Sequence, residues 1–344
     1  MNHIYRSIWS PATGTCVATS EHVSSAGKAV SASSEKPVTR LHCHKLSCAL
    51  MLVFGALAQA SPTGGVVTAG RASIGGTPGQ MTVTQTTAAA AIQWQSFGIR
   101  AGESVQFVQP SSSSVALNRV VGSDPSAILG NLSSNGKVFL VNPSGILFGP
   151  GASVNVGGLV ASTLNISDSD FMAGNYRFSG TSSAAVDNQG NISADGGYVA
   201  LLGANVSNQG VIAARLGTVA LAAGNAVTLD MAGDKLLNIT VNQGAVNALV
   251  DNGGMIQADG GHVLMTTQAA GSLLANAVNN TGIIQAQTIQ NVKGTIMLMG
   301  GMETGVVNVG GTLDASAPAG GNGGFIETSA AHVKIASDAN ITTV

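Results

Sequence analysis

The sequence predicts an all-β chain wound into a right-handed parallel β-helix, a solenoid with rungs of about twenty residues and an N-terminal capping region. An unstructured or helical leader precedes it and is removed. Three observations carry this prediction. Of 344 residues 46 are Gly, aromatics make up 4% and charged residues only 9%, against about 25% charged residues in globular domains. The hydrophobic content of 44% exceeds what low-hydrophobicity disordered chains carry. Finally, the chain repeats itself. NQGNISADGGYVALLGANVS (188–207) overlays NQGVIAARLGTVALAAGNAV (208–227) with ten of twenty positions identical, including Asn188/Asn208, Gly190/Gly210, Ile192/Ile212, Val199/Val219 and Leu201/Leu221.

The pattern returns as DNGGMIQADGGHVLMTT (251–267), as NNTGIIQAQTIQNVKGTIMLMG (279–300) with an insertion, and more loosely as GGTLDASAPAGGNGGFIETS (310–329). Each copy holds short alternating apolar runs such as Val199-x-Leu201, separated by Asn-Gly or Gly-Gly turn signals. No helix-period segment interrupts the copies. One such unit cannot bury its own apolar face, whereas stacked units can. Alternation then sends Ile, Val and Leu into the coil and leaves Asn, Gly and Asp at its corners. A β-sandwich, the main competitor, needs hairpin spacing of about 8–12 residues, which this strict register does not show.

In chain order, residues 1–60 read as a leader. Arg6, Lys28, Lys36, Arg40 and Lys45 against Glu21 and Glu35 give it a net charge of +3, while the remainder carries −5. Arg40 and Lys45 flank an apolar core, Leu46–Ala58, that ends in Ala58-Gln59-Ala60. A charged flank, a short apolar core and a small-residue cleavage site make a secretory signal at 40–60. That core is well short of the ~20 residues needed to span a bilayer, so no integral membrane protein is expected. Cys16, Cys43 and Cys48 all fall in the leader, so the mature chain can form neither a disulfide nor a thiolate metal site. Its weakly acidic balance offers no footprint for nucleic acid.

The leader exceeds the usual ~15–30 residues of a signal peptide. Its excess, residues 1–30, resembles the extended signal-peptide region of large autotransporter and two-partner-secretion exoproteins of Gram-negative bacteria. The matching residues are Met1-Asn2, Ile4-Tyr5-Arg6, Trp9, Ala12-Thr13-Gly14-Thr15 and Ser20-Glu21. The resemblance implies slowed inner-membrane export and a chain kept unfolded in the periplasm.

Residues 61–230 follow as one segment. Within it, Ala91-Ile92-x-Trp94-x-Ser96-Phe97, Gly102-Glu103-Ser104-Val105-x-Phe107, Leu117-Asn118-Arg119-Val120, Gly136-x-Val138-Phe139-Leu140-x-Asn142-Pro143 and Gly157-Gly158-Leu159-Val160-Ala161-Ser162-Thr163 occur in order. They resemble the haemagglutination-activity, or two-partner-secretion, domain of filamentous-haemagglutinin-like exoproteins, over roughly residues 66–230. The pentapeptide Asn142-Pro143-Ser144-Gly145-Ile146 stands where that family usually has Asn-Pro-Asn-Gly-Ile. Physically it is a turn: Pro143 fixes φ, Gly145 tolerates positive φ, and Asn142 caps through its side-chain oxygen. Ser144 can make the local bond of the usual Asn more weakly. A second family motif, Asn-Pro-Asn-Leu, is missing; SSSSVALNRVVG (111–122) takes its place, as in the adhesin-type and haem-scavenging branch.

The resemblance implies a partner, an outer-membrane β-barrel transporter whose periplasmic POTRA modules recognise the extended domain. The domain then folds outside the cell as a β-helix and templates the repeats behind it. Residues 142–146 are the candidate secretion or turn motif. Residues 231–344 read as further repeats of a longer exoprotein, because ASDANITTV (336–344) follows a repeat-like segment directly.

No enzymatic, metal or cofactor site is expected. GNLSSNGKV (130–138) has the wrong spacing for a phosphate loop and no Ser or Thr after Lys137. His262 and His332 are the only histidines beyond residue 60, and neither has a second ligand nearby in sequence. Asp195 and Asp259 occupy equivalent repeat positions, but the copy between them has Arg215, which breaks the carboxylate ladder that a β-helical polysaccharide-active enzyme would use. Glu103, Glu303 and Glu327 are scattered. The expected function is that of a secreted adhesin with a host-cell or bacterial surface receptor. Alternatives are the delivery domain of a contact-dependent toxin, a cytolysin or a haem-scavenging protein. Amino-terminal sequencing of the secreted chain is expected to begin at Ser61; a product still carrying residues 1–60 overturns the leader assignment.

Overall fold

The structure, a computed structural model, describes residues 5–10, 15–20, 61–230, 237–268, 276–289 and 291–344. The chain divides into two units, Met1–Ala56 and Leu57–Val344. In the first, Tyr5–Ser10 and Thr15–Ser20 are strands paired antiparallel, Tyr5 with Ser20, so these leader residues are not unstructured or helical as the sequence predicts. The expected cleavage residues Ala58 and Ala60 lie outside the described residues, and Ser61 begins the described part of the second unit.

That second unit is a parallel β-helix. Among the described residues its wall consists of three long sheets, of eleven, ten and eight strands, and each rung adds one strand to each sheet. Register is kept residue for residue. Ile192, Ile212, Ile256, Ile284 and Leu313 stack in one column, and Val199, Val219, Val263 and Ile296 in another. All are at most 1% exposed, and burying one such side chain is worth ~1.5–3 kcal/mol. The apolar repeat positions thus become the continuous interior of the coil.

At its N-terminal end the coil is closed by reversed strands. Val66–Ala69 runs antiparallel to Ala89–Trp94, and Ala72–Thr77 antiparallel to Gln80–Gln85. Parallel pairing starts behind them, Gln80–Gln85 with Ser104–Val108. These strands form the N-terminal cap of the coil. Trp94 lies under the cap, packed edge-on to Phe97 at 5.5 Å, with its Nε1 donating to Asn118 Oδ1 at 3.0 Å.

The twenty-residue spacing holds between Asn191 and Val211 but not along the whole coil. Ser153 pairs with Asn191 and Val211 with Met255, because two excursions leave the wall. Past Met255 the paired residues Met255, Ile283, Thr312 and Asn340 stand well over twenty residues apart without such an excursion among the described residues. Longer connections separate the strands of each rung there, as between Met299 and Gly305. Residues 165–184 carry the short helix Asp168–Met172 and the strand Tyr176–Ser179, and residues 224–247 carry the strands Ala226–Asp230 and Asn238–Gln243. The three excursion strands join in an antiparallel sheet of their own. Five helical residues, capped by Ser167 accepting from Asp170 N, are too few to leave a period in the sequence.

The excursions explain a departure from simple alternation. Tyr198–Gly203 and Thr218–Ala223 are buried at every position, since helix and extra sheet cover the outer face of the ten-stranded sheet. Leu117, Phe139, Val160, Tyr198 and Leu202 face outward into a second core with Phe171, Phe178, Val227 and Leu229. Phe139 meets Phe171 at 5.7 Å and Tyr176 at 5.1 Å. Beyond this cover, His262–Thr267 and Thr295–Met299 return to strict alternation of half-exposed and buried residues.

The repeated asparagines end their strands at the corners of the coil and face inward. Asn188, Asn208, Asn252 and Asn280 are wholly buried; the Nδ2 of each of the first three donates to the next Oδ1 at 2.7 Å, and that of Asn280 to the Gly282 carbonyl. An amide both gives and accepts, so identical side chains in register satisfy one another where an isolated buried amide would be costly. Two residues on, Gly190, Gly210, Gly254, Gly282 and Gly311 form a second file, and a Cβ on any of the last four would strike the carbonyl oxygen of the glycine before it.

Among the described residues no helix is long and apolar enough to cross a membrane. Asn208→Ala removes a ladder partner on both sides and is expected to lower stability by about 2–4 kcal/mol, read as a shifted urea midpoint. Exposed Asn131 replaced by Ala should stay within about 0.5 kcal/mol.

Candidate functional site

The 142–146 pentapeptide joins the strands Lys137–Val141 and Ile146–Phe148. The Asn142 carbonyl accepts the Gly145 amide at 3.1 Å, closing a four-residue turn around Pro143 and Ser144. Asn142 Oδ1 accepts the Ser144 amide at 2.9 Å, and Asn142 Nδ2 donates to Asp124 O and Ser126 Oγ, each at 3.0 Å. The same residue gives its own amide to Ser162 O at 2.9 Å. Fully buried, Asn142 therefore ties its own turn to the preceding rung and to the following one. Gly145 has φ +115°, and a Cβ there would have ordinary room, so backbone conformation and not space demands glycine. Ile146 is buried in register with Ser126 and Val186.

Residue 144 serves the turn through its backbone amide, which is why Ser replaces the family's usual Asn without loss of the anchoring bond. Pro143 is exposed, and its carbonyl accepts Ser182 Oγ at 2.6 Å. Ser182 belongs to the extended stretch 180–184, which returns from the first excursion. With Pro143, Thr163 and Asn165 this stretch lines a shallow groove of about 550 Å³.

A strand buried at every position is a costly place for a charge. Arg119 nevertheless lies in such a strand, Val115–Val120, and is 9% exposed. Its Nε donates to Asn165 Oδ1 at 2.9 Å, one terminal nitrogen to Asp168 Oδ1 at 2.6 Å and the other to the Ile166 carbonyl. Asp168 Oδ2 accepts Thr68 Oγ1 at 2.7 Å. Burial alone would raise the Asp168 pKa, but the hydrogen bonds from Thr68 and Arg119 and the Arg119 charge hold it below the usual carboxylate value. The sequence marks Arg119 only as part of a motif and gives Asp168 no role; an arginine inside an otherwise strand-forming apolar run was the available signal.

Residues 58–315 match the family model of the TPS secretion domain. The chain belongs to that family. Residues 1–48 match the Extended Signal Peptide of Type V secretion system. Two Haemophilus influenzae proteins named Heme/hemopexin-binding protein are similar to the chain. One is 34% identical over 251 residues, 71% of this chain and 28% of that protein. The other is 35% identical over 248 residues, 64% of this chain and 26% of that protein. The chain thus spans about a quarter of these relatives' length. The crystal structure of the HMW1 secretion domain from Haemophilus influenzae is 26% identical, with a TM-score of 0.65 over 83% of this chain and 84% of that one. The protein is accordingly a two-partner-secretion exoprotein of a Gram-negative bacterium, exported behind its extended signal peptide and secreted through an outer-membrane transporter partner.

In this TPS secretion domain the carboxylates stand in two contrasting columns. At one corner Arg215 lies between Asp195 and Asp259 and binds Asp195 through Nε at 3.1 Å and a terminal nitrogen at 2.5 Å. Asp259 accepts Gln257 Nε2 at 2.6 Å, Gln285 Nε2 at 2.9 Å and the Gln287 amide at 2.9 Å. On the eight-stranded sheet Ser207 separates Asp187 from Asp251. Burial raises both pKa values, hydrogen bonds from Gln189 and Ser207 offsetting part of the shift at Asp187, and Asn279 and Gln209 part of that at Asp251. Among the described residues Asp187 Oδ1 is buried without a hydrogen-bond partner, and no three His, Cys, Asp or Glu side chains are grouped to hold a metal ion.

A carboxyl whose pKa is raised by folding binds its proton more tightly in the native state, so it destabilises the fold as pH rises past its unfolded value of about 3.9. Asp187→Asn, which keeps an acceptor for Gln189, is expected to raise the urea midpoint at pH 7. The advantage should shrink as pH falls toward 4. An unchanged midpoint at pH 7 would show that the Asp187 charge is not penalised.

Proposed function

We propose that the stretch from Ser61 is delivered unfolded to the outer-membrane transporter, and that residues 142–146 act as a turn that builds the β-helix outside the cell. The supporting observation is the burial of Asn142 among Asp124, Ser126 and Ser162: once folded, its side chain offers nothing to a partner. POTRA modules of the transporter then meet extended strands, which can add to an exposed sheet edge before they pair with one another. In this scheme residues 1–60 are the leader, cleaved at Ala60, residues 61–230 the secretion domain proper and residues 231–344 further rungs.

Alanine at each position separates recognition from folding. Asn142→Ala should lower both the refolding yield and secretion by cells expressing the transporter. Exposed Pro143→Ala, at a position whose φ alanine also adopts, should leave both nearly intact. Lost secretion with normal refolding in Pro143→Ala would mean instead that the transporter reads the motif directly.

For the exoprotein as a whole we favour a non-enzymatic surface role, binding a receptor as an adhesin. The Arg215 charge inside the Asp195–Asp259 column supports a structural use of these carboxylates. A second reading, haem scavenging, is favoured by the two heme/hemopexin-binding relatives. Capture of haemin or haemopexin by the secreted chain, with no adherence to host or bacterial cells, would select that reading; adherence without capture selects the adhesin.

A further inference from the structure

The polar and apolar partners that complete the first rungs come from residues far downstream. Arg119 lies on the outer face of its sheet, alongside Leu117 and Phe139. Its side-chain acceptors are Asn165, Ile166 and Asp168, so the rungs that hold Arg119 do not satisfy it. Until residues 165–168 arrive, a guanidinium stands on an apolar surface and must keep its water. Asp168 in turn reaches back to Thr68 in Val66–Ala69, a strand of the cap. The base of the excursion is closed by reciprocal backbone bonds between Asn165 and Ser179, at 2.9 Å each way, and Phe171 and Phe178 lie directly over Phe139. One ion pair therefore joins cap, wall and cover, across 49 residues of sequence.

We propose that the Arg119–Asp168 pair is a latch that times folding: the capped N-terminal rungs close only when the segment 165–168 docks. In a chain emerging N-terminus first, residues up to 164 then stay open and mobile along the export path, and docking of the helix Asp168–Met172 commits them to the coil. A brace added to an already folded cap would contain the same contacts but would form after the rate-limiting step. The proposal rests on export before folding as set out above, yet its test involves no transporter, so its failure is distinguishable from failure of that scheme.

Trp94 is the single tryptophan after residue 60 and is buried under the cap, so its fluorescence reports closure of the first rungs in the full 61–344 chain. In stopped-flow refolding from urea, Asp168→Asn is expected to slow the Trp94 phase about tenfold while changing unfolding less than about twofold, as for a contact formed in the transition state. The wild-type folding rate should also fall as acid protonates Asp168, and Asp168→Asn should lack that dependence. Unchanged folding with faster unfolding makes the pair a late brace and overturns the proposal. Should Asp168→Asn fail to fold, Thr68→Val removes one Asp168 bond only, and the same comparison of folding with unfolding rates decides.

Discussion

Parallel pairing in unbroken register is the constraint from which the rest of this molecule follows. A strand in such a stack has a neighbour above and below, so each residue sees its own counterpart on both sides. Aliphatic positions become continuous columns such as Ile192–Ile212–Ile256–Ile284. The same rule makes polar positions additive. A buried asparagine is tolerable at Asn208 because Asn188 and Asn252 stand in register with it, and an Arg at position 215 finds an Asp one rung away. By contrast, wall charge is penalised where Ser207 separates Asp187 from Asp251: burial pushes both carboxyls toward their protonated forms.

The coil itself was legible because repetition is visible in sequence. Ile192/Ile212 and Val199/Val219 align by eye, and their alternation gives the inward face. What the repeat concealed was the second core. YVALLG and TVALAA (198–203 and 218–223) are almost wholly apolar and buried on both faces, which is the mark of a strand covered on both sides. The cover itself left no comparable trace. It comes from unrepeated sequence, a five-residue helix and three short antiparallel strands, held by rare aromatics such as Phe171 and Phe178. The inward bonding of the asparagines left no trace for a related reason: taken singly, Asn beside Gly signals a turn, and only the register shows that these side chains have each other.

The 142–146 turn lies between the two cases. Its turn chemistry could be read from five residues: Gly145 has a positive φ and Asn142 Oδ1 accepts the Ser144 amide. Its reach could not. Anchors on Asp124, Ser126 and Ser162, and the hydroxyl of Ser182 on the Pro143 carbonyl, come from different rungs and from the far end of an excursion. A short motif can thus mark a place where several distant segments converge, and that convergence ties its local geometry to completion of the domain.

The file of glycines from Gly190 to Gly311 also governs how such a chain can change in length. Each of these backbones lies against the one before it with no room for a side chain, so a single-residue insertion there would put a Cβ into the file and turn the aliphatic column outward. Length can be gained without damage by adding a whole rung with its glycine and asparagine in phase, by lengthening a connection between strands as in the rungs after Met255, or by enlarging an excursion that leaves and re-enters the wall at fixed points. The 165–184 and 224–247 segments are excursions of that kind, which makes them the natural places for relatives to differ in size.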